Sequence, residues 1–453
     1  MRCRGLISVF ILLLVSMTLP GRAQEPEAPS DGEAPLLTAD EAVDFALQHN
    51  RLARISELEA EKYDFRVSTI RSRRLPKFQF AVLSGELMHS FDFTFHQGVF
   101  GTYPVIGPVP ATRTVIRTPA QLTTFVTGSI DQPITQQYKI RLGIRATELG
   151  REIAREDIRA QRQKVAAEVR AAYFSLIATQ AGVEAARQAV QTLEEAQRIT
   201  REHEEARTVL RADALEVEAK LARSRYDLSM AEDGLATQHE HLNQLLGREL
   251  ATPFRVASLP EAEAPAQSIE EVRQRALENR PEVRQARIKE AQAEYDCRLA
   301  RAEHIPDLSL SVRYLGMNNM EVLPGNVAMA GVMLTWEPFD WGRRSNAVAE
   351  KSKTVEQAHH GTRETESQVA LEAGMKYRKW HEAALLLQAA RATHQAAAEQ
   401  VRVMNNRYGE QAVTLKDLLQ AQARSAEAAF QYQQALSSYW SALAELRRVM
   451  GEE

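Results

Sequence analysis

Residues 332–344 read VMLTWEPFDWGRR. An apolar run ends at Trp336, Pro338 interrupts any regular ladder or helix, and Asp340, Trp341 and an Arg pair open a segment of different character. On both sides the chain is rich in Ala, Gln, Glu, Arg and Leu at helical spacing, so the stretch marks a change of secondary structure.

Upstream of it the period is two. Leu308, Leu310, Val312 and Tyr314 alternate with Asp307, Ser309, Ser311 and Arg313, the pattern of a strand with one apolar face. Phe78, Phe80 and Val82 alternate in the same way with Lys77, Gln79 and Ala81. The apolar parity then changes to Leu87, Phe91, Phe93 and Phe95, which predicts a bulge. Strands are expected at about 77–95, 121–132, 307–315 and 327–337, each near the length a tilted strand needs to cross hydrocarbon.

These strands belong to a duplication. A shift of 230 residues lays Glu41, Ala46, Leu47, Arg54, Arg71 and Pro76 on Glu271, Ala276, Leu277, Arg284, Arg301 and Pro306. The shift falls to 205 where Pro133 meets Pro338, then to 204 where Tyr173, Asp213, Leu215 and Gly247 meet Tyr377, Asp417, Leu419 and Gly451. The length difference lies between the strands, where residues 89–121 form a longer loop than residues 316–326. Each copy opens on a helix with capping-box spacing, Thr38 with Glu41 and Ser268 with Glu271, ending by Pro76 or Pro306. Repeats are expected over 38–250 and 268–453. A Pro- and acid-rich leader at 24–37 and a linker at 251–267 read as solvated connectors.

Long helical hairpins complete each copy, at about 135–247 and 340–450. Val165, Ala172, Thr179, Ala186 and Leu193 recur every seven residues, interleaved with Val169, Leu176, Val183 and Val190, which is the stagger of a coiled coil. Small seam residues allow close approach. About 70 residues without proline lie between Pro133 and the region near Arg207, roughly 100 Å of helix.

Composition agrees: charged residues are 26% and aromatics 6%, which suits extended helices better than a globular core. Residues 1–23 carry Arg2 and Arg4, an apolar core from Leu6 to Val15 and the small-x-small site Gly21-Arg22-Ala23, a secretory signal. Its removal takes the formal charge from −4 to about −7 and leaves Cys297 as the sole cysteine. The mature chain then has no internal disulfide and no basic footprint for nucleic acid, and because Cys3 precedes the apolar core no lipid anchor is expected. No later run of 18 apolar residues offers a spanning helix, so membrane contact would have to come from strands. Four strands cannot close around a lumen; three chains would supply twelve, an even number within the range of outer-membrane barrels.

The chain resembles the TolC-like outer-membrane efflux family over nearly all of its mature length. The resemblance rests on LTADEAVDFALQHN and its repeat SIEEVRQRALENRPEVRQAR, on the helix-to-strand prolines, on WEPFDWGRR and on NRYGEQAVTLKDLLQAQ. It implies a mainly α fold with transmembrane β: a duplicated helix-strand-strand-helix unit, forming a homotrimer whose twelve-stranded barrel continues into a periplasmic α-helical coiled-coil barrel. It further implies a passive exit duct of a tripartite efflux pump or type I secretion system in the Gram-negative outer membrane, in contact with outer-membrane lipid. The duct would be fed by a periplasmic adaptor and an inner-membrane transporter of the RND, ABC or MFS type.

In that family the tunnel mouth is built from the turns between the long and returning helices, here residues 202–216 and 407–420. The resemblance places Arg207, Arg211, Asp213, Tyr408, Gln411, Val413, Asp417 and Gln420 at these tips. Asp213 and Asp417 match the family's tip acid and would set six carboxylates around a trimeric opening, a ring that attracts cations. Alternatively each caps its returning helix, and the two roles are compatible. Arg207 and Gln411 stand where the family has glycine, Val413 where members carry a locking Arg, and Gln420 where a second carboxylate is usual. The adaptor-contact role carries over and the lock does not. Arg207 and Arg211 read either as another latch or as solvated charges.

No metal, phosphate or nucleophile motif occurs, no cofactor is expected, and the chain does not read as an enzyme. His359-His360 and His239 with His241 do not share a helix face. Trp336 and Trp341 read either as interfacial anchors or as packing against the helix start; Trp380 and Trp440 read as packing within helices. The competing class is an exported periplasmic coiled-coil adaptor or scaffold, which would carry a split β domain around one hairpin rather than a duplicated unit. The cargo is not encoded in any visible pocket.

Overall fold

The computed structural model describes residues 35–206, 210–260, 267–318, 324–410 and 412–452; the expected signal segment lies outside them. The first copy runs β1 (Leu36–Leu37), α1 (Ala39–His49), α2 (Arg51–Ser72), β2 (Lys77–Glu86), β3 (Phe91–Phe95), β4 (Thr102–Tyr103), β5 (Gly107–Pro108), β6 (Thr114–Thr118), β7 (Leu122–Pro133), α3 (Gln136–Glu205) and α4 (Arg211–Leu246). After β8 (Arg255–Val256) the second copy runs α5 (Ile269–Asn279), α6 (Pro281–Ala302), β9 (Asp307–Asn318), β10 (Asn326–Thr335), α7 (Arg343–Gly409) and α8 (Leu415–Val449).

Both capping boxes form. The amides of Thr38 and Ser268 donate to Glu41 and Glu271 at 2.9 and 3.1 Å, and each hydroxyl accepts its partner's amide at 3.3 Å. The opening helix is nevertheless two helices in each copy, because the chain turns extended at Asn50 and at Arg280. Asn50 restarts the helix by accepting the amides of Leu52 and Ala53 at 2.8 and 3.3 Å, while its own amide group donates to the Leu245 carbonyl at 2.8 Å. In the second copy Pro281 supplies the restart, its fixed φ suiting the first helical position.

α3 has 70 residues, roughly 105 Å. α4 covers its lower part, and α2 and α6 its upper part; α8 also packs on it, and α7 pairs with α6 and α8. Two cores lie where the short helices meet the long ones, and they are images of each other. Ala42, Ala46, Val165, Val169 and Leu242 form one; Val272, Ala276, Val369, Ala373 and Leu446 occupy the corresponding places in the other.

The connectors are not merely solvated, as composition suggested. β1 pairs in parallel with β8, and Phe254 beside it is buried. The buried Tyr173 hydroxyl ties the two together, donating to the Leu37 carbonyl at 2.9 Å and accepting the Ala257 amide at 2.9 Å. Its counterpart Tyr377 donates to the Gln267 carbonyl at 3.1 Å.

The main sheet has order β10-β9-β7-β2, all antiparallel, with β10 and β2 as open edges. Three features differ from the sequence reading. The region 77–95 is not one bulged strand: β2 stops at Glu86, and β3 pairs with β6 in a separate ribbon that stands on the β2–β7 hairpin. The last strand ends at Thr335, so Trp336 and Glu337 have already left the ladder before Pro338. Finally, Pro133 and Pro338 are not equivalent. Val82 faces Val126, and Val312 faces Ala330, so the second strands of the two copies are related by 204 residues, the shift found in the helices. Pro133 is tolerated at the end of β7 because its missing N–H lies beyond the start of β2, where no ladder bond is lost.

Candidate functional site

The two faces of the sheet differ in chemistry. Even-numbered positions carry Phe78, Phe80, Val82, Val126, Ile130, Leu310, Val312, Tyr314, Val332 and Leu334 in cross-strand register. Odd positions carry Lys77, Gln79, Thr127, Ser129, Asp131, Ser309, Ser311 and Arg313 across the lower half. There Asp131 accepts the Ser311 hydroxyl at 2.7 Å and lies 3.8 Å from Arg313. A groove of about 600 Å³ runs along this polar face between Gln79, Thr127, Ser129 and Arg313. One face thus suits hydrocarbon and the other a wet lumen. Toward the 87–121 end, Leu83, Phe125, Leu315 and Met317 make the odd face more apolar.

The sheet hands over to helices at two unequal junctions. After Pro133, the Thr135 hydroxyl donates to the Pro306 carbonyl and accepts the Leu308 amide, both at 2.8 Å, and Lys139 reaches Asp307 at 2.8 Å. This junction is therefore fastened to the start of β9, and Pro76 closes the preceding turn beside it. The junction after Pro338 is self-contained. Asp340 accepts the amides of Gly342 and Arg344, each at 3.1 Å, and Arg344 and Arg343 both bind Glu337. The Arg344 amide above all, then the Gly342 amide and the nearby Arg charges, hold the Asp340 carboxyl below its usual range. The turn places Trp341 at φ 54° and Gly342 at φ 82°. Trp341 is 99% exposed, Phe339 84% and Trp336 59%; within one chain neither tryptophan packs against the helix start.

At the far end of the helices lie the two tips. In the second copy Thr414 caps α8: its hydroxyl donates to the Asp417 carboxylate at 2.6 Å, its amide donates to the same group at 3.1 Å, and the Asp417 amide returns a bond at 3.3 Å. Asp417 is thus the third residue of a capping box rather than the cap itself, a T-x-x-D signal legible in the sequence and missed beside those at Thr38 and Ser268. The first copy has Leu210 at the corresponding place, with no side-chain cap, and Asp213 at the third position of α4. Arg211 and Gln420 are exposed and Val413 is half-buried. Arg207 and Gln411 lie outside the described residues, as do the side chains of Asp213 and Tyr408.

One charged cluster escaped the sequence reading. Arg280, 5% exposed, binds Glu282 at 2.8 Å and also Glu372; Arg448 reaches Glu372 at 2.7 Å and Glu445 at 3.3 Å, and Lys376 reaches Glu445 at 2.7 Å. Burial pushes the Glu372 carboxyl up, but the hydrogen bonds and charges of Arg280 and then Arg448 outweigh it and leave it below the ordinary range. The first copy has Asn50 where Arg280 stands, so this lock is specific to one copy. The histidines serve locally: His359 binds Glu290 at 2.8 Å, and His239 packs on Phe254 at 4.6 Å between ring centres. Trp380 is buried against Tyr377 and Tyr439, and Trp440 donates to the Pro260 carbonyl at 3.2 Å. Among the described residues no cluster of three His, Cys, Asp or Glu side chains can hold a metal, and no helix is long and apolar enough to cross a membrane.

An unclosed sheet with one apolar face, continued into long helical hairpins and duplicated within one chain, defines a TolC-like channel protomer. Residues 117–248 and 272–452 match the outer membrane efflux protein family, and the chain belongs to that family. Its fold is that of solved outer-membrane channels. The Campylobacter jejuni CmeC outer membrane channel superposes with TM-score 0.73 at 18% identity over 91% of this chain and 85% of that chain. The Neisseria gonorrhoeae MtrE outer membrane channel in its open state gives 0.71 at 18% over 91% and 89%. The outer membrane protein VceC from Vibrio cholerae gives 0.69 at 16% over 91% and 96%. No curated protein matches the sequence.

Proposed function

We propose that three copies of this chain form an exit duct through the outer membrane, with twelve strands enclosing a lumen and the helical hairpins extending it through the periplasm. The observation that carries this reading is the four-stranded sheet with both edges open and one apolar face. In one copy it leaves ladder groups unpaired and the apolar face in water, and closure by further copies inside a bilayer relieves both. The signal segment delivers the chain to the periplasm. The tips at 202–216 and 407–420 dock on a periplasmic adaptor, which joins the duct to an inner-membrane transporter of the RND, ABC or MFS type; substrate passes without a chemical step. In the trimer Asp213 and Asp417 ring the periplasmic opening and favour cations, while Asp417 also holds the start of α8. The test is extraction from outer membranes in mild detergent, mass measurement and reconstitution into planar bilayers. A stable trimer that conducts is expected. Recovery as a freely soluble periplasmic protein, or as a monomer after extraction, overturns the reading.

A further inference from the structure

The enlarged connection of the first copy, residues 87–121, stands where the second copy has only a short turn between Asn318 and Asn326. Its fold is fixed by its own bonds. β3 and β6 form a ribbon with Phe93 opposite Ile116 and with Arg117 bound to Asp92 at 3.3 Å. Beyond the ribbon the chain doubles back: the amides of Gly98 and Phe100 donate to the carbonyls of Pro110 and Val109, both at 3.0 Å, and the Phe100 ring rests 5.2 Å from that of Phe95. Gly101 and Gly107, at φ 106° and 80°, frame the β4–β5 hairpin. The tip of that hairpin is apolar and bare. Val105 is 96% exposed and Ile106 75%, and residues 103–110, YPVIGPVP, carry no charge. A held apolar knob of this kind points to a surface that covers it.

The burial at its root shows to which side the insert leans. Thr123 and Thr127 lie on one strand and on the same, odd face of the sheet. Thr127 is exposed, whereas Thr123 is 1% exposed and Leu87, on that face of the adjoining strand, is half-buried. On the even face Glu86 and Leu122 stay exposed at the same level. The cover at the top of the sheet is therefore on the polar, lumen side, and the insert leaves the sheet at these residues.

From this we infer that the inserts of three copies lean over the lumen and meet tip to tip, Val105 and Ile106 of each against those of the others, as an apolar cap on the outer mouth. The inference rests on the proposed trimeric duct. Twelve strands about 4.8 Å apart and tilted by about 40° enclose a backbone radius of roughly 12 Å. The five-residue strands of the ribbon span about 17 Å before the hairpin adds to them, so each tip reaches the threefold axis. The absence of charge from the tip lets three identical surfaces meet there without like-charge repulsion. Water, which surrounds the tip in one copy, is excluded by the other two. Only a few side chains per chain hold the contact, so cargo arriving from below can part it, while a large solute outside meets it closed.

The test uses the full chain in outer membranes, in a Cys297→Ser background. Val105→Cys and Ile106→Cys are each treated with diamide, which accepts the two protons and two electrons of a pair of thiols. Covalent dimer is expected, because three thiols on one axis can form one disulfide. In a second measurement on intact cells, Met329→Cys on the lumen face is labelled from outside with a bulky polyethylene-glycol maleimide. Labelling follows the fraction of time the cap is open, so adding Val105→Asp with Ile106→Asp is expected to speed it by about tenfold or more. Labelling of Thr94→Cys, exposed on the ribbon, should be equal with and without the Asp pair. No disulfide at either tip position in a protein whose detergent-solubilised mass is that of a trimer overturns the tip contact. Equal labelling of Met329→Cys with and without the Asp pair overturns the cap as a barrier. A monomeric mass overturns the assembly on which both rest.

Discussion

Gly247 and Gly451 end the returning helices of the two copies with left-handed φ values of 74° and 84°, each driven into the break between the two short opening helices. A Cβ at Gly247 would stand 2.4 Å from the His49 carbonyl oxygen and 3.0 Å from its carbon. Those atoms cannot swing away, because Asn50 is held to Ala46 at 2.7 Å and to Leu245 at 2.8 Å. For Gly247→Ala the left-handed backbone costs about 1–2 kcal/mol and the forced overlap about 1–3 kcal/mol, roughly 2–5 kcal/mol together. Gly451→Ala meets Asn279 Cβ at 2.8 Å and its backbone at 3.0 Å, so it falls in the lower part of that range. Gly234 lies inside α4 with nothing within 4 Å of an added Cβ, so Gly234→Ala stabilises by about 1 kcal/mol through helix propensity alone. Far-UV circular dichroism of the three variants in detergent reads this as a midpoint lowered by several degrees for Gly247→Ala, less for Gly451→Ala, and slightly raised for Gly234→Ala. Gly247→Ala melting with the wild type would refute the close approach and, with it, the reading of the break at Asn50 as a socket for the returning helix.

Other outcomes follow from the same geometry. Arg280→Met leaves Glu372 without its main partner and is expected to cost about 3 kcal/mol, the low end for a broken buried pair because Glu372 is partly exposed; a denaturation midpoint equal to wild type contradicts it. Because the Glu372 carboxyl is depressed from 4.5 in the folded chain, its contribution is present above about pH 4.5 and is lost as pH falls through the folded value, so Glu372→Gln should flatten the acid limb of a stability-versus-pH curve. Tyr173→Phe removes the acceptor of the Ala257 amide and the donor to Leu37, and urea unfolding should report a loss of about 1–3 kcal/mol. At the tip, Thr414→Ala should cost about 1 kcal/mol of local stability and leave ion selectivity unchanged, whereas Asp417→Ala should lower cation selectivity in single-channel recordings; equal selectivity changes in the two variants would reduce Asp417 to its capping role.

The strands and long helices were legible because their periods are set by one residue type against another. A strand buried on one face and wet on the other must alternate, so Lys77 to Val82 and Asp307 to Tyr314 announced both the strands and the side each would present. The seams of Val165 to Leu193 did the same for the helices. The break in the opening helices was not legible at Asn50, whose capping is completed by the Leu245 carbonyl, almost two hundred residues away in sequence. Pro281 carried a local signal for the same break, and comparing the two copies would have transferred it. The Arg280 lock was invisible for a related reason: its partners Glu372, Arg448 and Glu445 lie on two other helices, and nothing in a charge count distinguishes them from the solvated charges around them.

The misleading feature was the likeness of Pro133 to Pro338. Proline is conspicuous, so it invites alignment, yet its place in a sheet depends only on whether a ladder bond is lost. Pro133 loses none at the end of β7, and Pro338 stands three residues beyond Thr335, outside the ladder altogether. Anchoring the copies on these prolines gives a shift of 205, which is odd and would turn every side chain of one second strand to the wrong face relative to the other. The shift of 204 preserves the faces and agrees with the helices downstream. The boundary VMLTWEPFDWGRR therefore has the same length as its counterpart in the first copy, with its proline one position further on, outside the strand and in the exposed turn around Trp336 and Trp341. In the first copy the equivalent segment rests on β9 of its own chain; in the proposed trimer the second junction would rest on a neighbouring chain, a difference of surroundings that fits aromatic residues at the second junction and polar ones at the first.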